Sequence, residues 1–318
     1  MRCFVTGCAG FIGSTLTERL LSQGHLVVGY DNFSTGHEAF LRSAREQPGF
    51  TLVRADILDA QTLTASMREV DLVFHLAANA DVRHGTEHPR RDLEQNTMAT
   101  SHVLEAMRHN GVSRIAFTSS GSVYGEAACI PTPEDAPFPV QTSLYGASKA
   151  AAEGLIAAYC AGFGFRSHIF RLVSILGERY THGHVLDFYR QLRADPRRLR
   201  VLGDGRQRKS YLYVHDCIDA MLLALTRADA AVNIYNVGSD SACKVNDSIG
   251  WICGALGVTP RIEYGGGDRG WPGDNPLILP DVGRLQALGW KPRLTIREAV
   301  LATVAYLTTN PRLLDARR

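Results

Sequence analysis

Short hydrophobic runs alternate with amphipathic stretches along the first half of the chain. Val, Leu, Ile and Phe occupy consecutive positions in these runs, which is typical of parallel strands covered on both faces. The runs predict strands at residues 3–6, 26–30, 50–54, 71–76 and 114–118. Helical windows lie between them at residues 13–23, 61–68 and 91–110. In the last window Leu93, Met98, Val103, Leu104 and Met107 give a loosely helical apolar spacing. This alternation predicts an α/β fold with a doubly wound parallel sheet.

The second half of the chain has a looser pattern. Four prolines between residues 130 and 140 predict an irregular loop. A helix at 145–160 and a strand at 168–173 follow, and short strands at 211–213 and 232–237 could rejoin the sheet. Further helices are predicted at 245–256 and 296–307. We therefore expect a nucleotide-binding domain of residues 1–173 plus about 211–238, and a smaller discontinuous α/β C-terminal lobe of about 174–210 plus 239–318.

Composition excludes several classes of protein. Hydrophobic residues make 45% and charged residues 21% of the 318 residues, which fits a globular rather than a disordered chain. The net charge of +2 does not predict a nucleic-acid partner. No apolar run approaches the roughly 18 residues of a membrane span, and the first residues do not resemble a signal peptide. Seven cysteines without a CxxC pair argue against a disulfide framework or zinc site. We expect a cytoplasmic protein without a membrane partner.

A glycine-rich turn follows the first predicted strand. Its sequence is Thr6-Gly7-Cys8-Ala9-Gly10-Phe11-Ile12-Gly13, with G-x-x-G-x-x-G spacing. Glycines let the backbone turn tightly and approach a pyrophosphate, and the N-terminus of the next helix offers free N–H groups to that anion. The strand–turn–helix context predicts a Rossmann-type dinucleotide-binding domain.

Two acids follow the next predicted strands. Asp31 ends the second strand, where a carboxylate bonds the ribose hydroxyls and repels a 2′-phosphate, so NAD is favoured over NADP. The alternative is that Asp31 is a solvated turn residue. Asp56, after the third strand, either lies near the adenine or caps a helix.

A tyrosine and a lysine lie one helical turn apart in Tyr145-Gly146-Ala147-Ser148-Lys149. A nearby ammonium group, together with bound NAD⁺, would lower the tyrosine pKa from its usual ~10 and make it a general base. Ser119, Ser120 and Ser122 follow the strand at 114–118, at the edge where open parallel sheets bind ligands. These serines could equally be ordinary capping residues.

With these motifs, the chain resembles a known family. The glycine turn, Asp31, His75-Leu76-Ala77-Ala78, Asn96, residues 119–125 and residues 145–149 occur in the order of the extended short-chain dehydrogenases/reductases. The chain is most similar to their NAD-dependent nucleotide-sugar epimerases and dehydratases, in particular the UDP-glucose (galactose) 4-epimerases. The resemblance covers nearly the whole chain.

The resemblance implies roles for individual residues. Tyr145 would be the base, Lys149 would bind the nicotinamide ribose and lower the tyrosine pKa, and Ser120 would bond the sugar hydroxyl. Asn96 would hold the active-site helix near the substrate, and Val173 would lie against the nicotinamide. The remaining implied NAD contacts are Gly7, Gly10, Phe11, Ile12, Gly13, Asp31, Asn32, Asp56, Ile57, Leu76, Ala77, Ala78 and Ser119.

Substrate contacts are implied mainly in the C-terminal lobe. They are Ser120, Ser122, Ser174, His184, Val185, Lys209, Arg269 and Ile278. Lys209-Ser210 stands where the family usually has Arg-Asp, so a diphosphate contact there would lose the bidentate guanidinium fork unless Arg208 supplies it.

Further departures concern the diphosphate and the sugar. Trp271 replaces the family's usual arginine, and Arg269 either takes that role or is a loop charge. Ser174 stands where galactose epimerases carry Asn. Counting without gaps from Gly273-Asp274, Ile278 falls where a large tyrosine excludes 2-acetamido sugars, unless it packs in the core of the lobe. His182 and His184 lack an evident third metal ligand, so we expect them in a substrate-lobe loop rather than a metal site.

The strand-end motif bears on the reaction. The 4,6-dehydratases resemble Thr-Asp-Glu-x-Tyr-Gly here, whereas this chain has Ser120-Gly121-Ser122-Val123-Tyr124-Gly125 without either carboxyl group. The resemblance therefore implies a 4-epimerase that acts on a nucleotide sugar through a transient 4-keto intermediate. A 4-ketoreductase, a dehydratase, a decarboxylase and a non-enzymatic NAD sensor are the alternatives. The resemblance also implies a homodimer built from the helices at 91–110 and 145–160.

Overall fold

The computed structural model describes residues 1–80, 85, 87–137, 140–270 and 277–311. Its strands are β1 (Arg2–Thr6), β2 (Leu26–Tyr30), β3 (Phe50–Val53), β4 (Leu72–His75), β5 (Arg114–Ser120), β6 (Arg166–Leu172), β7 (Ser174–Leu176), β8 (Arg198–Val201), β9 (Arg208–Lys209), β10 (Tyr211–Tyr213), β11 (Val232–Val237), β12 (Cys243–Lys244), β13 (Arg261–Tyr264) and β14 (Leu277–Ile278).

The helices alternate with the strands in the first half of the chain. They are α1 (Phe11–Ser22), α2 (Arg42–Arg45), α3 (Ala60–Ser66), α4 (Pro89–Asp92), α5 (Ala99–His109), α6 (Leu144–Phe163), α7 (His184–Ala194), α8 (Val214–Arg227), α9 (Val245–Leu256), α10 (Gly283–Ala287) and α11 (Ile296–Thr309). Short 3₁₀ helices cover Glu38–Leu41 and Gly121–Tyr124, and a π-helical segment covers Leu93–Met98. None of the described helices is long and apolar enough to cross a membrane.

A seven-stranded sheet with the order β11-β6-β5-β4-β1-β2-β3 forms the centre of the nucleotide-binding half. The pairs from β6 to β3 are all parallel. Cys3, Phe4 and Val5 of β1 are fully buried at consecutive positions, so both faces of the sheet are covered. The predicted doubly wound parallel sheet is confirmed, and β2 and β11 have the predicted bounds.

A hydrophobic core cluster packs against this sheet. Leu63 of α3, Val103 and Leu104 of α5, and Ile156 of α6 are completely buried in it. Each of these helices therefore presents an apolar stripe to the sheet, and α6, which carries the tyrosine and lysine, is fixed by this packing.

The helix predicted at 91–110 is divided in the structure into α4, the π-helical segment and α5. Val103 and Met107 are buried as their spacing predicts, but Leu93 and Met98 are 53% and 44% exposed. The prediction for these two side chains was wrong because a π-helical turn contains more residues than an α-helical turn and shifts the apolar phase.

Other elements were not predicted correctly. β10 has the predicted bounds but does not rejoin the large sheet, because it pairs in parallel with β7 in a separate two-stranded sheet. His184 and Val185, expected in a loop, instead begin helix α7. The strand pair β8–β13 and the helix α8 had no counterpart in the sequence prediction.

The chain divides into two compact units. The first contains residues 1–125, 138–172 and 220–235, and the second contains residues 126–137, 173–219 and 236–318. Residues 126–137 and 211–219 thus belong to the second unit, which differs from the predicted domain boundaries. The second unit also contains a three-stranded sheet with the order β12-β9-β14.

Candidate active site

The turn between β1 and α1 can accept a pyrophosphate only because of its glycines. Gly7 has φ +71°, and a Cβ added to it would lie 2.8 Å from the Ala77 amide nitrogen. A Cβ on Gly13 would lie 2.0 Å from the carbonyl oxygen of Gly7. Gly10 precedes α1 without a side-chain cap, so the first N–H groups of the helix remain available to an anion. These features fit the diphosphate of a dinucleotide.

Asp31 lies at the end of β2, largely buried beside the glycine turn. Its Oδ2 accepts a hydrogen bond from the Ala9 amide at 2.8 Å, and its Oδ1 accepts one from the Phe33 amide at 2.8 Å. Burial raises the pKa of this carboxyl group, and both backbone bonds oppose that shift. Asp31 is therefore a fixed part of the turn rather than a solvated residue.

Asp56 is tied to the same region. Its side chain accepts a bond from Asn32 Nδ2 at 2.8 Å, and its carbonyl oxygen accepts one from the Tyr30 hydroxyl at 2.8 Å. Helix α3 is capped by Asp59, whose side chain accepts from the Thr62 amide. The alternative that Asp56 caps this helix is thus wrong.

A buried histidine connects the glycine turn to the segment after β4. Thr6 Oγ1 accepts from the Leu76 and Ala77 amides at 3.1 Å each and lies 2.8 Å from His75 Nδ1. The other ring nitrogen of His75 lies 3.0 Å from Thr100 Oγ1. Burial lowers the pKa of His75 to about 3, so the ring stays neutral and can serve as both donor and acceptor. This series of hydrogen bonds holds Leu76 and Ala77 against the glycine turn.

Asn96, on the π-helical segment, bonds to the helix that carries the tyrosine. Its Nδ2 donates to Ser148 Oγ at 2.9 Å, and Ser148 Oγ donates to the Tyr145 carbonyl at 2.8 Å. Its Oδ1 accepts from the Asn79 amide at 2.9 Å. Asp92 is buried beside it and accepts from Asn79 Nδ2 at 2.8 Å. The structure thus adds Asn79, Asp92 and Ser148, for which the sequence motifs gave no signal.

Ser120 and Tyr145 are brought together by the end of β5 and the first turn of α6. The Ser120 side chain lies near the Tyr145 phenol and acts to lower the phenol's pKa. Ser120 Oγ also accepts from the Ser122 amide at 3.1 Å and donates to Ser122 Oγ at 3.2 Å. Ser143 caps α6 by accepting from the Gly146 amide at 3.0 Å, which fixes the helix start next to Tyr145.

Lys149 lies one turn further along α6 and is almost completely buried. Its ammonium group donates to the Thr118 carbonyl at 2.9 Å and lies 4.7 Å from the centre of the Phe117 ring. Burial lowers the pKa of Lys149 to about 8, against the opposing effects of two carboxylates, Glu153 and Asp92. The lysine can still carry a charge at neutral pH.

Tyr145 does not show the expected low pKa. Its burial raises the pKa to about 12; the Ser120 side chain opposes this shift, and Asp92 adds to it. Lys149 does not contribute, since its ammonium group is directed at the Thr118 carbonyl and the Phe117 ring. In the protein without a cofactor, Lys149 therefore does not lower the Tyr145 pKa as the sequence led us to expect.

Ser119 behaves differently from Ser120. Its hydroxyl donates to the carboxylate of Glu153, which forms an ion pair with Arg171 at 2.7 Å. Ser119, Glu153 and Arg171 are all buried. The predicted cofactor contact of Ser119 therefore does not involve a free hydroxyl group.

In the second unit, three predicted substrate residues lie close together. Lys209 of β9 pairs in register with Ile278 of β14. His184 begins α7, with its ring 4.8 Å from the Tyr211 ring and its Nε2 2.8 Å from Ser248 Oγ. Burial, followed by the charge of Lys209, lowers the pKa of His184 to about 4. The ammonium group of Lys209 is therefore close enough to act electrostatically on the His184 imidazole.

The other predicted substrate residues are arranged less simply. Val185 is completely buried, so only its backbone at the start of α7 could meet a ligand. Arg269 Nη1 lies 2.6 Å from Glu126 Oε1, and a phosphate contact would have to compete with this ion pair. Ser174 is exposed at the start of β7, and the Val173 amide bonds the Val237 carbonyl at 3.1 Å. Trp271 and the Gly273-Asp274 pair lie outside the described residues.

Comparison with known proteins agrees with this geometry. Residues 3–238 match the model of the NAD dependent epimerase/dehydratase family. The chain is 33% identical to a UDP-glucose 4-epimerase of Mycolicibacterium smegmatis over 96% of this chain and 98% of that protein. A crystal structure of a UDP-galactose 4-epimerase is 38% identical, with TM-score 0.88 over 98% of this chain and 99% of that one. A Thermus thermophilus UDP-glucose 4-epimerase in complex with NAD is 31% identical, with TM-score 0.86 over 97% and 99%.

Proposed function

The chain belongs to the NAD dependent epimerase/dehydratase family, and we propose that it is a nucleotide-sugar 4-epimerase of the UDP-glucose/UDP-galactose type. The observation that carries this proposal is the group of Ser120, Tyr145 and Lys149 at the carboxyl end of β5, in which Tyr145 and Lys149 are buried. The adjoining residues Gly121 and Ser122 offer no carboxyl group for eliminating water. The site is thus equipped for proton transfer at a single sugar hydroxyl.

The first unit has the residues to hold NAD. The glycine turn and the uncapped start of α1 would hold the diphosphate. The Asp31 carboxylate would accept hydrogen bonds from the ribose hydroxyls. Lys149 would bind the ribose on the nicotinamide side. Bound NAD⁺ supplies the hydride acceptor and donor for C4 of the sugar and places a positive charge in the site.

The protein's own part in the reaction is to move one proton and to orient the sugar. Tyr145 Oη takes the proton from the sugar 4-hydroxyl as the 4-keto sugar forms, and returns it when the hydroxyl is restored on the other face. Ser120 Oγ would hydrogen-bond the sugar oxygen and keep it next to the Tyr145 phenol. The Tyr145 pKa is about 12 in the protein alone, so positive charge brought by the bound cofactor would favour the phenolate and help Tyr145 to act as a base.

The second unit is proposed to hold the nucleotide part of the substrate. Lys209 would pair with the diphosphate, with His184 beside it and Ile278 next to the sugar. Arg269 would also bind the diphosphate, after its ion pair with Glu126 is broken. A UDP-sugar is the proposed substrate, since each of the three relatives described above is named for one.

We also propose that the protein works in the cytoplasm as a homodimer. The exposed side chains of Leu93 and Met98, together with the small residues on the outer side of α6, support a helix-packed interface between two copies.

The proposed activity is tested by incubating the protein with UDP-, dTDP-, GDP- and CDP-sugars and separating the products by chromatography with mass detection. The expected product is the 4-epimer of a UDP-sugar, with unchanged mass and without net consumption of NAD. Loss of water or of carbon dioxide would instead assign the chain to the dehydratases or decarboxylases, and stoichiometric consumption of reduced cofactor would indicate a ketoreductase.

The role of Tyr145 is tested by Tyr145→Phe. This change keeps the buried ring but removes the proton-transferring oxygen, so turnover should fall roughly 10²–10⁴-fold. NAD affinity and thermal unfolding should stay close to those of the wild type. A variant with undiminished turnover would remove Tyr145 from the mechanism.

A further inference from the structure

A buried ion pair lies directly behind the proposed catalytic group. Glu153 is the third in a series of residues spaced by four on α6, after Tyr145 and Lys149, so all three share one buried face of the helix. Arg171, on the neighbouring strand β6, donates to both oxygens of Glu153, with Nη2 at 2.7 Å and Nε at 3.1 and 3.2 Å. The side chains of Arg171 and Glu153 are only 2% and 5% exposed.

The ion pair contacts the chain on both sides of Ser120. On one side, the Ser119 hydroxyl donates to Glu153. On the other side, Arg171 Nη1 is bonded to the Tyr124 hydroxyl at 2.7 Å, and its guanidinium lies 4.9 Å from the centre of the Tyr124 ring. The segment Ser119–Tyr124, with Ser120 inside it, is therefore attached at both ends to one rigid pair.

Stability alone does not explain this arrangement. A buried ion pair gains little over well-packed apolar residues of similar volume, because the cost of removing two charges from water offsets their attraction. The hydrogen bonds described above, however, join the ion pair to the strand end and to the catalytic helix. The geometry therefore points to a function in alignment.

We propose that Glu153 and Arg171 are positioning residues of the epimerase reaction, which hold Ser120 in place beside the Tyr145 phenol. This inference rests on the proposed function. Neither residue touches the substrate; both act through Ser119, Tyr124 and the backbone of β5. If the pair is lost, Ser120 is free to move relative to the phenol, and a misplacement of about 1 Å can cost about 10²-fold in rate.

Glu153 has a second, electrostatic effect on the site. Its carboxylate raises the pKa of Lys149 against the dominant effect of burial, and Asp92 acts in the same direction. Among the other groups facing the lysine, His75 is neutral and Tyr145 is protonated in the protein alone. Removing the charge of Glu153 therefore lowers the Lys149 pKa below its value of about 8, so the lysine loses its charge at a lower pH.

Two variants of Glu153 separate these effects. Glu153→Gln removes the charge and the ion pair, so kcat should fall about 10²-fold with little change in KM, and the basic limb of the pH profile should move to lower pH. Glu153→Asp keeps the charge but shortens the reach to Ser119, so kcat should fall while the basic limb stays in place. Glu263→Gln is the matched control, because Glu263 also pairs with an arginine, Arg198, but lies on strand β13 of the second unit.

A double variant addresses the unpaired charge that a single change leaves behind. Glu153→Met with Arg171→Met removes both charges and is expected to fold, since buried pairs are often replaceable by apolar residues. Its kcat should remain as low as that of Glu153→Gln. Wild-type kcat in the folded double variant would overturn the positioning role, as would wild-type kcat and an unshifted pH profile in Glu153→Gln.

A crystal structure of the double variant tests the inference independently of turnover. It should show Ser120 displaced from the Tyr145 phenol, and an unchanged Ser120–Tyr145 contact would contradict the proposal. If the wild type converts no nucleotide sugar, the proposed function fails, but this displacement can still be measured.

Discussion

At the scale of single residues, the motif positions were predictable, but the chemical state of their side chains was not. Tyr145 and Lys149 lie on one face of α6 as their spacing implies, and Ser120 lies near the phenol as the family resemblance implies. The direction of the tyrosine pKa shift could not be predicted, because it depends on burial, which reverses the effect expected from a neighbouring lysine. Ser119 and Ser120 differ for a simpler reason: successive residues of a strand point to opposite faces, so Ser119 faces α6 and Glu153.

The charge of Asp31 leads to a prediction about cofactor choice. Asp31→Asn should raise the affinity for NADPH relative to NADH by about 10-fold or more, roughly 1.4 kcal/mol, because the repulsion of a 2′-phosphate is removed. Affinity for NADH should fall, since the side chain also holds the Ala9 and Phe33 amides.

Fluorescence titration with the two reduced cofactors measures this ratio. Asp240→Asn, an exposed acid of the second unit, serves as the control. Equal affinities of the wild type for NADH and NADPH would show that Asp31 does not select the cofactor.

At the scale of elements, strands buried on both faces were predicted well and the connections of the second unit were not. The bounds of β2, β10, β11 and α9 follow directly from their apolar runs. Helix α7 was missed because it begins at His184 after a polar, glycine-containing segment. The π-helical segment was missed because it lies within one continuous helical pattern and changes only the phase of its side chains.

The pairing of β9 with β14 carries a prediction about the size of the sugar. Ile278 lies in register with Lys209, the proposed diphosphate ligand, and it is only partly buried. Isoleucine leaves room beside the sugar's C2. The protein should therefore turn over UDP-N-acetylglucosamine in addition to UDP-glucose. Ile278→Tyr should lower kcat/KM for the acetamido sugar by about 10-fold or more, with little change for UDP-glucose.

The neighbouring change Leu277→Tyr is the control, because adjacent strand residues point to opposite faces. An equal effect of both tyrosines on the two sugars, or none from Ile278→Tyr, would mean that Ile278 packs in the core of the lobe.

At the scale of the whole molecule, the fold class was predictable, but the assignment of segments to the two units was not. Residues 126–137 join the second unit through contacts distant in sequence: the Asn236 amide donates to Glu134, and Thr132 forms a β-bridge with Pro280. Arg284 adds an ion pair to Glu134 at 3.3 Å. A local hydrophobic pattern contains no information about such pairings, so the prolines of this segment indicated only an irregular loop.

The outer surface of the first unit leads to the prediction about assembly. Ala151, Gly154 and Ala158 form an exposed stripe of small residues on α6, where another helix could approach closely, while Ala152 faces the protein's own core. We expect a mass of twice 34.8 kDa by light scattering at micromolar concentration. Ala158→Arg should give the monomer, because a long charged side chain would prevent the close packing of helices. Ala287→Arg, at the exposed end of α10 in the second unit, should leave the mass unchanged. A wild-type monomer at this concentration would contradict the dimer, and a dimer that survives Ala158→Arg would place the interface on another face.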